Sequence, residues 1–206
     1  KNHQKEKKAV FIPNGVNTDI FIPVNQEKKY NIRRQFGIDE KKNILLFTGA
    51  ISPRKNILFL IQVLNHLLLK SSNFLLVLVG PNNEKLYHGF DKVYYQKLKN
   101  KIKNLNIEKH IIIQDYTEDI VKLYQLSDIY ISATKREGMS NSVLESLSCG
   151  LPVVSLDMYN DFQDYIKHGK NGFVIKNEDE RIFTEYIMKL THEKYIYNMF
   201  SQNCRK

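Results

Sequence analysis

The chain has 206 residues, 42% of them hydrophobic and 26% charged, which is the composition of an ordinary globular protein able to bury its own core. No apolar run reaches the roughly 20 residues of a membrane span, and residues 1–8 lack the apolar core of a secretory signal, so we expect a soluble, cytoplasmic chain. The net charge of +9 fits nucleic acid, an anionic membrane surface or a phosphorylated ligand. No nucleic-acid motif accompanies this charge, and we expect no nucleic-acid partner.

Short apolar runs alternate with helical patterns along the chain. The predicted strands are 9–12, 44–48, 74–79, 111–113, 129–132, 153–155 and 173–175. The predicted helices are 56–70, 93–105, 118–125, 142–149, a short one at 162–167, and 178–204. Most strands are apolar throughout, as strands buried on both faces are. The pattern predicts an α/β fold, a Rossmann-like parallel sheet with helices on both faces, in one domain over 1–206.

Two loops that follow predicted strands contain the candidate site residues, because ligands of open parallel sheets bind beyond the carboxyl ends of the strands. Loop 49–56 carries Arg54 and Lys55 where a helix is predicted to begin. Cations beside free helix amides suit a diphosphate. The alternative is that both are solvated first-turn residues, but positive charge there opposes the helix dipole, which favours a binding role.

Loop 134–141 contains Glu137. Glu145 follows eight positions later, and a helix is predicted to begin between the two glutamates. This spacing suits a sugar nucleotide: Glu137 would face a sugar, the helix amides a diphosphate, and Glu145 a ribose. A structural alternative exists for each glutamate. Ser142 and Glu145 match a capping box, and Glu137 could be an exposed loop residue.

Other chemistries find no support in the sequence. The six histidines have no zinc-type spacing to one another or to cysteine, so we predict no metal site. Cys149 and Cys204 are far apart, and we interpret Cys149 as a small core residue rather than a nucleophile. The chain has no Walker loop, no G-x-G-x-x-G after a strand and no G-x-S-x-G elbow. We therefore expect no cofactor.

Taken together, these motifs resemble the carboxyl-terminal, donor-binding half of GT-B glycosyltransferases of family 4 (group 1). They are, in order, the segments 13–17, 49–55, 127–132, 137–145, 149–154 and 171–173. The pair Glu137 and Glu145 matches that family's E-x7-E motif, and the resemblance covers nearly the whole chain.

The resemblance implies a retaining hexosyltransferase of polysaccharide biosynthesis that uses a UDP- or GDP-linked sugar and no metal. Glu137 would be the catalytic residue that bonds the sugar hydroxyls, Glu145 would hold the ribose, and Arg54 and Lys55 would neutralise the departing diphosphate. The remaining donor-binding residues would be Gly49, Gly138, Met139, Ser140, Asn141, Ser142 and Val143. A glycan or lipid-linked acceptor would bind through an amino-terminal domain absent from this chain. This half alone would be inactive, and the full-length protein would associate peripherally with the inner face of the membrane.

The chain departs from the family pattern at four positions. Ala50 replaces a frequent arginine, Asn56 and Asp115 replace glycines, and Asp164 replaces a glutamate. Three alternatives stay open from sequence: a non-catalytic nucleotide-binding module, a polyanion-binding protein driven by the +9 charge, and a sugar-nucleotide epimerase of GT-B fold.

Overall fold

Six strands and seven helices make up most of the described chain, which in the computed structural model comprises residues 14–81, 90–159 and 161–206. The strands are β1 Asn43–Thr48, β2 Phe74–Val79, β3 Ile111–Gln114, β4 Ile129–Ser132, β5 Val153–Leu156 and β6 Gly172–Ile175. The helices are α1 Gln26–Gln35, α2 Ile57–Lys70, α3 Lys92–Asn104, α4 Ile120–Leu126, α5 Asn141–Ser148, α6 Glu180–His192 and α7 Lys194–Asn203. Short 3-10 turns lie at Pro53–Lys55 and Glu108–His110. The predicted strand 9–12 lies outside the described residues.

All strand pairs in the sheet are parallel, in the order β3-β2-β1-β4-β5-β6. This is the strand order of the Rossmann fold, whose direction of winding reverses between the first and fourth strands. The predictions of six of the strands and of a parallel Rossmann-like sheet are therefore confirmed. A crevice for ligands is expected beyond the carboxyl ends of β1 and β4.

Helices cover both faces of the sheet, as predicted. Leu45 and Phe47 of β1 belong to one apolar core, which also contains side chains of α2, α3 and α6. Ile44 and Leu46 belong to the other, with side chains of α1, α4 and α5. Successive residues of a strand point to opposite faces, so strands that are apolar throughout fill both cores at once.

Helix α1 was not predicted, because charged rather than apolar residues attach it to the domain. Its buried residues include Lys29 and Arg33. Lys29 Nζ lies 2.7 Å from Asp128 Oδ1, and an Arg33 Nη donates to Asp128 Oδ2, also at 2.7 Å. We call these three residues the Asp128 cluster. Arg33 also donates to the carbonyls of residues 40, 42 and 126.

The pKa of Asp128 reflects two opposing effects in this cluster. Burial alone would raise it, but the charges of Lys29 and Arg33, together with the N–H of Ile44, outweigh burial and lower the pKa below its ordinary value. Asp128 is therefore a charged residue that links α1 to the starts of β1 and β4.

Two helix predictions near the carboxyl end are wrong. Residues 162–165 form turns and residues 166–167 have no regular structure; the side chain of Asn171 accepts the N–H of Lys167 at 2.8 Å. The predicted helix 178–204 is two helices. Glu193 lies between them with non-helical backbone dihedral angles (φ −97°, ψ 85°), so α6 ends before it and α7 begins after it. The break lets Leu190 of α6 and Phe200 of α7 enter the same core.

Helix α5 ends at a left-handed glycine. Gly150 has φ +74°; its N–H donates to the carbonyl of Leu147, and the N–H of Leu151 donates to that of Ser146. These two bonds form a Schellman cap. Cys149, beside it, is a buried core residue, as predicted, and burial raises its pKa to about 12.

None of the helices in the described part of the chain has the length and apolar character needed to span a bilayer.

Candidate functional site

The two loops singled out in the sequence meet at the carboxyl edge of the sheet, where its winding reverses. Loop 49–56 follows β1 and loop 134–141 follows β4, which is the neighbouring strand. The N–H of Lys135 donates to the carbonyl of Arg54 at 3.0 Å and joins the loops directly. The parallel sheet order thus brings together residues that are about 80 positions apart in the chain.

Three of the predicted site residues are in direct contact. Lys55 Nζ and an Arg54 Nη, the latter at 3.3 Å, both pair with Oε2 of Glu137. We call these residues the Glu137 cluster. The side chains of Lys55 and Glu137 are 13% and 18% exposed, whereas Arg54 is 56% exposed. Lys55 and Glu137 are therefore not simply solvated loop residues, and Arg54 retains an open face.

The cations precede helix α2 and do not lie in its first turn, so the alternative that they are solvated first-turn residues is wrong. Arg54 and Lys55 end a 3-10 turn, and Asn56 follows in the left-handed conformation, with φ 52° and ψ 42°. Asparagine is among the few non-glycine residues that adopt this conformation readily. Asn56 therefore adopts a conformation that a glycine would also adopt readily.

Gly49 and Gly80 bring the main chains after β1 and β2 into close contact. The N–H of Gly49 donates to the carbonyl of Val79, and a Cβ on Gly80 would lie 2.1 Å from the Gly49 oxygen. A Cβ on Gly49 would lie 3.5 Å from Cε of Lys55. The crevice beside Lys55 is consequently bounded by bare main chain, which allows close approach of a ligand to the backbone.

The backbone of the loop around Glu137 is hydrogen-bonded by side chains that were not predicted from the sequence. The Asp161 carboxylate accepts the N–H of Glu137 at 3.0 Å, and the Tyr165 hydroxyl accepts that of Ser140 at 3.1 Å. Asp157 in turn accepts the N–H of Asp161 at 2.6 Å. Asp157 could have been found by its position, because it directly follows β5 and so lies at the same edge of the sheet.

A further contact to this loop comes from the segment 13–17. The Asn14 amide donates to Oδ1 of Asn141 at 3.0 Å and to the Met139 carbonyl at 3.3 Å. The first described residue of the chain therefore lies against the start of α5, beside the predicted donor-binding residues.

The proposed capping box of α5 is wrong. The helix begins at Asn141, so its N-cap is Ser140 and Ser142 lies in the first turn. The Val143 side chain is buried in the core and can offer only its backbone. The first-turn amides of a helix have no acceptor within it, so those of Asn141 and Ser142, which are at least partly exposed, can take an outside anion, whereas Val143 is fully buried.

Glu145 takes part in a network of hydroxyl groups rather than in a cap. Its Oε2 accepts the Tyr124 hydroxyl at 2.7 Å, and the Tyr124 oxygen lies 2.8 Å from Oγ1 of Thr48. Since Tyr124 has one proton to donate, Thr48 donates to Tyr124. The Tyr130 hydroxyl approaches Thr48 from the other side at 3.3 Å. The network therefore links Glu145 to the carboxyl end of β1, beside Gly49.

Glu145 has an altered pKa because of this environment. Burial raises the pKa of its carboxyl group, and the hydrogen bond from Tyr124 partly opposes that rise. Glu145 is therefore a partly buried carboxylate whose Oε2 is held by the Tyr124 hydroxyl.

A cavity of about 760 Å³ lies away from the Glu137 cluster. Its lining includes Leu144 and Leu147 of α5 and residues 203–206 at the end of α7, and it includes none of the predicted site residues. We give precedence to the strand ends, because the charged groups and free helix amides lie there. Within the described ranges, no group of three or more His, Cys, Asp or Glu side chains is placed to hold a metal ion.

Relatives of known name match this chain over nearly its whole length. EpsD of Bacillus subtilis (strain 168), which carries a provisional glycosyltransferase name, is 30% identical over 192 residues, or 93% of this chain and 48% of its own length. The Escherichia coli UDP-Gal:alpha-D-GlcNAc-diphosphoundecaprenol alpha-1,3-galactosyltransferase is 28% identical over 204 residues, or 96% of this chain and 49% of its own length. The chain thus spans about half the length of these curated relatives.

Solved structures show the same fold. Anabaena HepE in complex with UDP-glucose superimposes with a TM-score of 0.81 at 19% identity, covering 93% of this chain and 50% of that one. The C-terminal domain of a group 1 glycosyl transferase from Francisella tularensis superimposes with a TM-score of 0.77 at 21% identity. That match covers 92% of this chain and 94% of that one. The domain described here is therefore one half of a GT-B fold.

A family model decides the assignment. The model of the glycosyl transferases of group 1 matches residues 28–206, which include every strand and every predicted site residue. This chain belongs to the group 1 glycosyltransferase family.

Proposed function

We propose that this chain is the donor-binding half of a retaining glycosyltransferase of family 4, which transfers a sugar from a UDP- or GDP-linked donor to a glycan or lipid-linked acceptor. The observation that carries the proposal is the Glu137 cluster, in which two loop cations and a carboxylate converge at the reversal point of a Rossmann-like sheet. Membership of the group 1 family supports it.

The diphosphate of the donor would lie between the cations and helix α5. Lys55 and Arg54 supply positive charge from one side, and the first-turn amides of α5 supply N–H donors from the other. Arg54, with its open face, provides the cation that the family often has at the position of Ala50. These groups are fixed before the reaction, so they stabilise negative charge as the diphosphate departs.

The two glutamates would recognise the sugar and the ribose. Glu137 lies at the edge of the cation pair and would accept bonds from the hydroxyl groups of the transferred sugar. Glu145 is held through Oε2 by Tyr124, which leaves Oε1 for a ribose hydroxyl. A carboxylate that accepts two hydrogen bonds from hydroxyl groups favours a sugar over an apolar group. An apolar group would leave the carboxylate without partners, which costs free energy.

The names of the relatives favour uridine donors as the first to test. The Escherichia coli relative is named for UDP-Gal and a lipid-linked diphosphate acceptor, and the HepE structure contains UDP-glucose. The acceptor site would lie on the half of the relatives that this chain does not match, so we expect this half to bind the donor without transferring the sugar. We expect no metal requirement, which donor binding in the presence of EDTA would check.

We propose that the full-length protein also associates peripherally with anionic membranes. Helix α3 carries five lysines and no acidic residue, and most of these lysines are exposed: Lys92, Lys97, Lys99, Lys101 and Lys103. Each positively charged side chain near a bilayer of anionic lipid adds to the attraction between the protein and the membrane. Sedimentation with phosphatidylglycerol vesicles but not with phosphatidylcholine vesicles is expected. Equal sedimentation with both would leave the lysines as a solvated face.

Calorimetric titration with UDP, GDP, ADP and their sugar conjugates tests the function. We expect one nucleotide family to bind, and Lys55→Ala or Glu145→Ala to weaken it by about 1.5–3 kcal/mol, the worth of a hydrogen bond to a charged group. Lys135→Ala is the matched control, because it removes a loop cation that pairs with Glu178 and not with Glu137. Equal binding by all four proteins, or binding of none of the nucleotides, would show the proposal to be wrong.

A further inference from the structure

Glu137 occupies the same cations that the proposed diphosphate needs. Both of its ion pairs fall on Oε2, one from Lys55 and one from Arg54. A diphosphate bound by these cations would share them with the carboxylate and would place a second anion beside it. Two like charges at one site disfavour each other. The carboxylate and the diphosphate are therefore competitors.

The main chain at Glu137 is held on both sides, so the carboxylate cannot be carried away from the cations by a small loop movement. Its own N–H is bound by Asp161, and the preceding carbonyl, of Arg136, accepts a bond from Arg54 at 3.3 Å. One residue earlier, the N–H of Lys135 is bound by the Arg54 carbonyl. Only rotation of the side chain is left, which keeps the carboxylate within reach of any group beside Lys55.

We propose that Glu137 is the specificity-determining residue that makes the site favour a nucleotide-sugar over the free nucleoside diphosphate, an inference that rests on the proposed function. When a sugar is attached to the diphosphate, its hydroxyl groups donate to the displaced carboxylate and replace the bonds lost from the cations. When no sugar is attached, the carboxylate loses the cations, gains no donor and faces a terminal phosphate with added negative charge.

This arrangement has a consequence for the reaction. Transfer of the sugar leaves a nucleoside diphosphate at the cations and removes the hydroxyl donors from Glu137. The carboxylate then regains Lys55 and Arg54 at the expense of the product. Glu137 thereby favours release of the spent nucleotide as well as binding of the donor.

The test is calorimetric titration of Glu137→Gln, which keeps the shape of the side chain and removes its charge. Three ligands are compared: inorganic pyrophosphate, UDP or GDP, and whichever of UDP-glucose, UDP-galactose and GDP-mannose binds the parent best. We expect pyrophosphate and the free nucleotide to bind roughly ten-fold more tightly to the variant, because one charge-assisted bond no longer has to be broken. The preference for the nucleotide-sugar over its own nucleotide should fall by a similar factor.

Glu178→Gln is the matched control. It changes the net charge equally and lies near the same loop, since Glu178 pairs with Lys135 at 3.7 Å, but it does not contact the cations of the Glu137 cluster. It should leave the preference between nucleotide-sugar and nucleotide unchanged. Glu137→Ala serves as a second variant should Glu137→Gln fail to fold, and the same tightening of pyrophosphate and free nucleotide is expected.

The outcomes separate the two proposals. If Lys55→Ala weakens nucleotide binding while Glu137→Gln leaves pyrophosphate and UDP unchanged, this inference is overturned and the donor site stands. The inference is also overturned if Glu178→Gln tightens binding as much as Glu137→Gln does. If the parent binds no nucleotide or nucleotide-sugar, both proposals fall.

Discussion

Two clusters in this domain contain the same charges, one carboxylate with one lysine and one arginine, but they differ in how fully those charges are used. In the Asp128 cluster, Arg33 is 3% exposed and bonds three carbonyls besides Asp128, which itself also accepts the N–H of Ile44. In the Glu137 cluster, Arg54 is 56% exposed, and the described contacts to the carboxylate both fall on one oxygen.

The difference shows how one set of charges can serve structure or binding. Arg33 is 3% exposed and donates four described hydrogen bonds, so the Asp128 cluster has little to offer a ligand and fixes α1 to the sheet. In the Glu137 cluster, the exposed Arg54 and the carboxylate of Glu137 can both form further hydrogen bonds. The cluster also lies at the edge of the sheet where ligands of this fold bind. Unused hydrogen-bonding capacity, and not charge alone, distinguishes the cluster that we propose to bind the donor.

The largest effect that separates the clusters should be on stability. Asp128→Ala leaves Lys29 and Arg33 buried without their carboxylate, and we expect a loss of about 3–5 kcal/mol in the free energy of unfolding. Glu137→Gln should cost less, about 1 kcal/mol, because the amide oxygen can still accept a hydrogen bond from Lys55 and Arg54 is open to water. Urea unfolding of both variants measures this. Equal losses would remove the structural distinction between the clusters.

An intermediate effect should appear at the hydroxyl network behind Glu145. Tyr124→Phe frees Oε2 of Glu145, and we expect UDP affinity to fall by about 1 kcal/mol, the worth of one hydrogen bond. The preference for UDP over its 2′-deoxy analogue should fall with it. Tyr130→Phe is the control, because this equally buried hydroxyl bonds Thr48 but does not touch Glu145. A loss of ribose preference in both variants would mean a general packing effect.

The smallest effect should be the pH dependence of stability. The pKa of Asp128 in the folded protein is lowered from its ordinary value of 3.8, so its contribution to the free energy of unfolding is fully present above pH 3.8. It is lost as the pH falls through the lower, folded pKa, while Lys29 and Arg33 stay charged. The stability gap between the parent and Asp128→Asn should therefore narrow on acidification below pH 3.8. A gap that stays constant down to pH 2.5 would contradict the assignment.

The sheet was predictable from the sequence and α1 was not, for a physical reason. Strands such as Phe74–Val79 are apolar throughout because both of their faces are buried. Helix α1 shows no such pattern, because it is attached by Lys29 and Arg33. The start of α5 was misplaced by the capping-box pattern, since the loop from β4 delivers Ser140, and not Ser142, to the N-cap position.

The site was predictable in part. The two loops and their charged residues follow from the position of the loops after strands, and the resemblance gave each residue a role. The pairing of Lys55 with Glu137 depends on β1 lying beside β4, which no local pattern encodes. The supports from Asp161, Tyr165 and Tyr124 are likewise tertiary contacts between polar residues that look ordinary in the sequence.

The close contact between Gly49 and Gly80 limits how this crevice can change over evolution or by design. Any side chain at Gly80 would collide with the Gly49 oxygen, so that wall of the crevice has one permitted shape. Under the proposed function, a change of donor preference would have to come from the loop after β4, whose Met139 carbonyl accepts a hydrogen bond from the Asn14 amide. A library aimed at a new donor should therefore keep both glycines and randomise that loop.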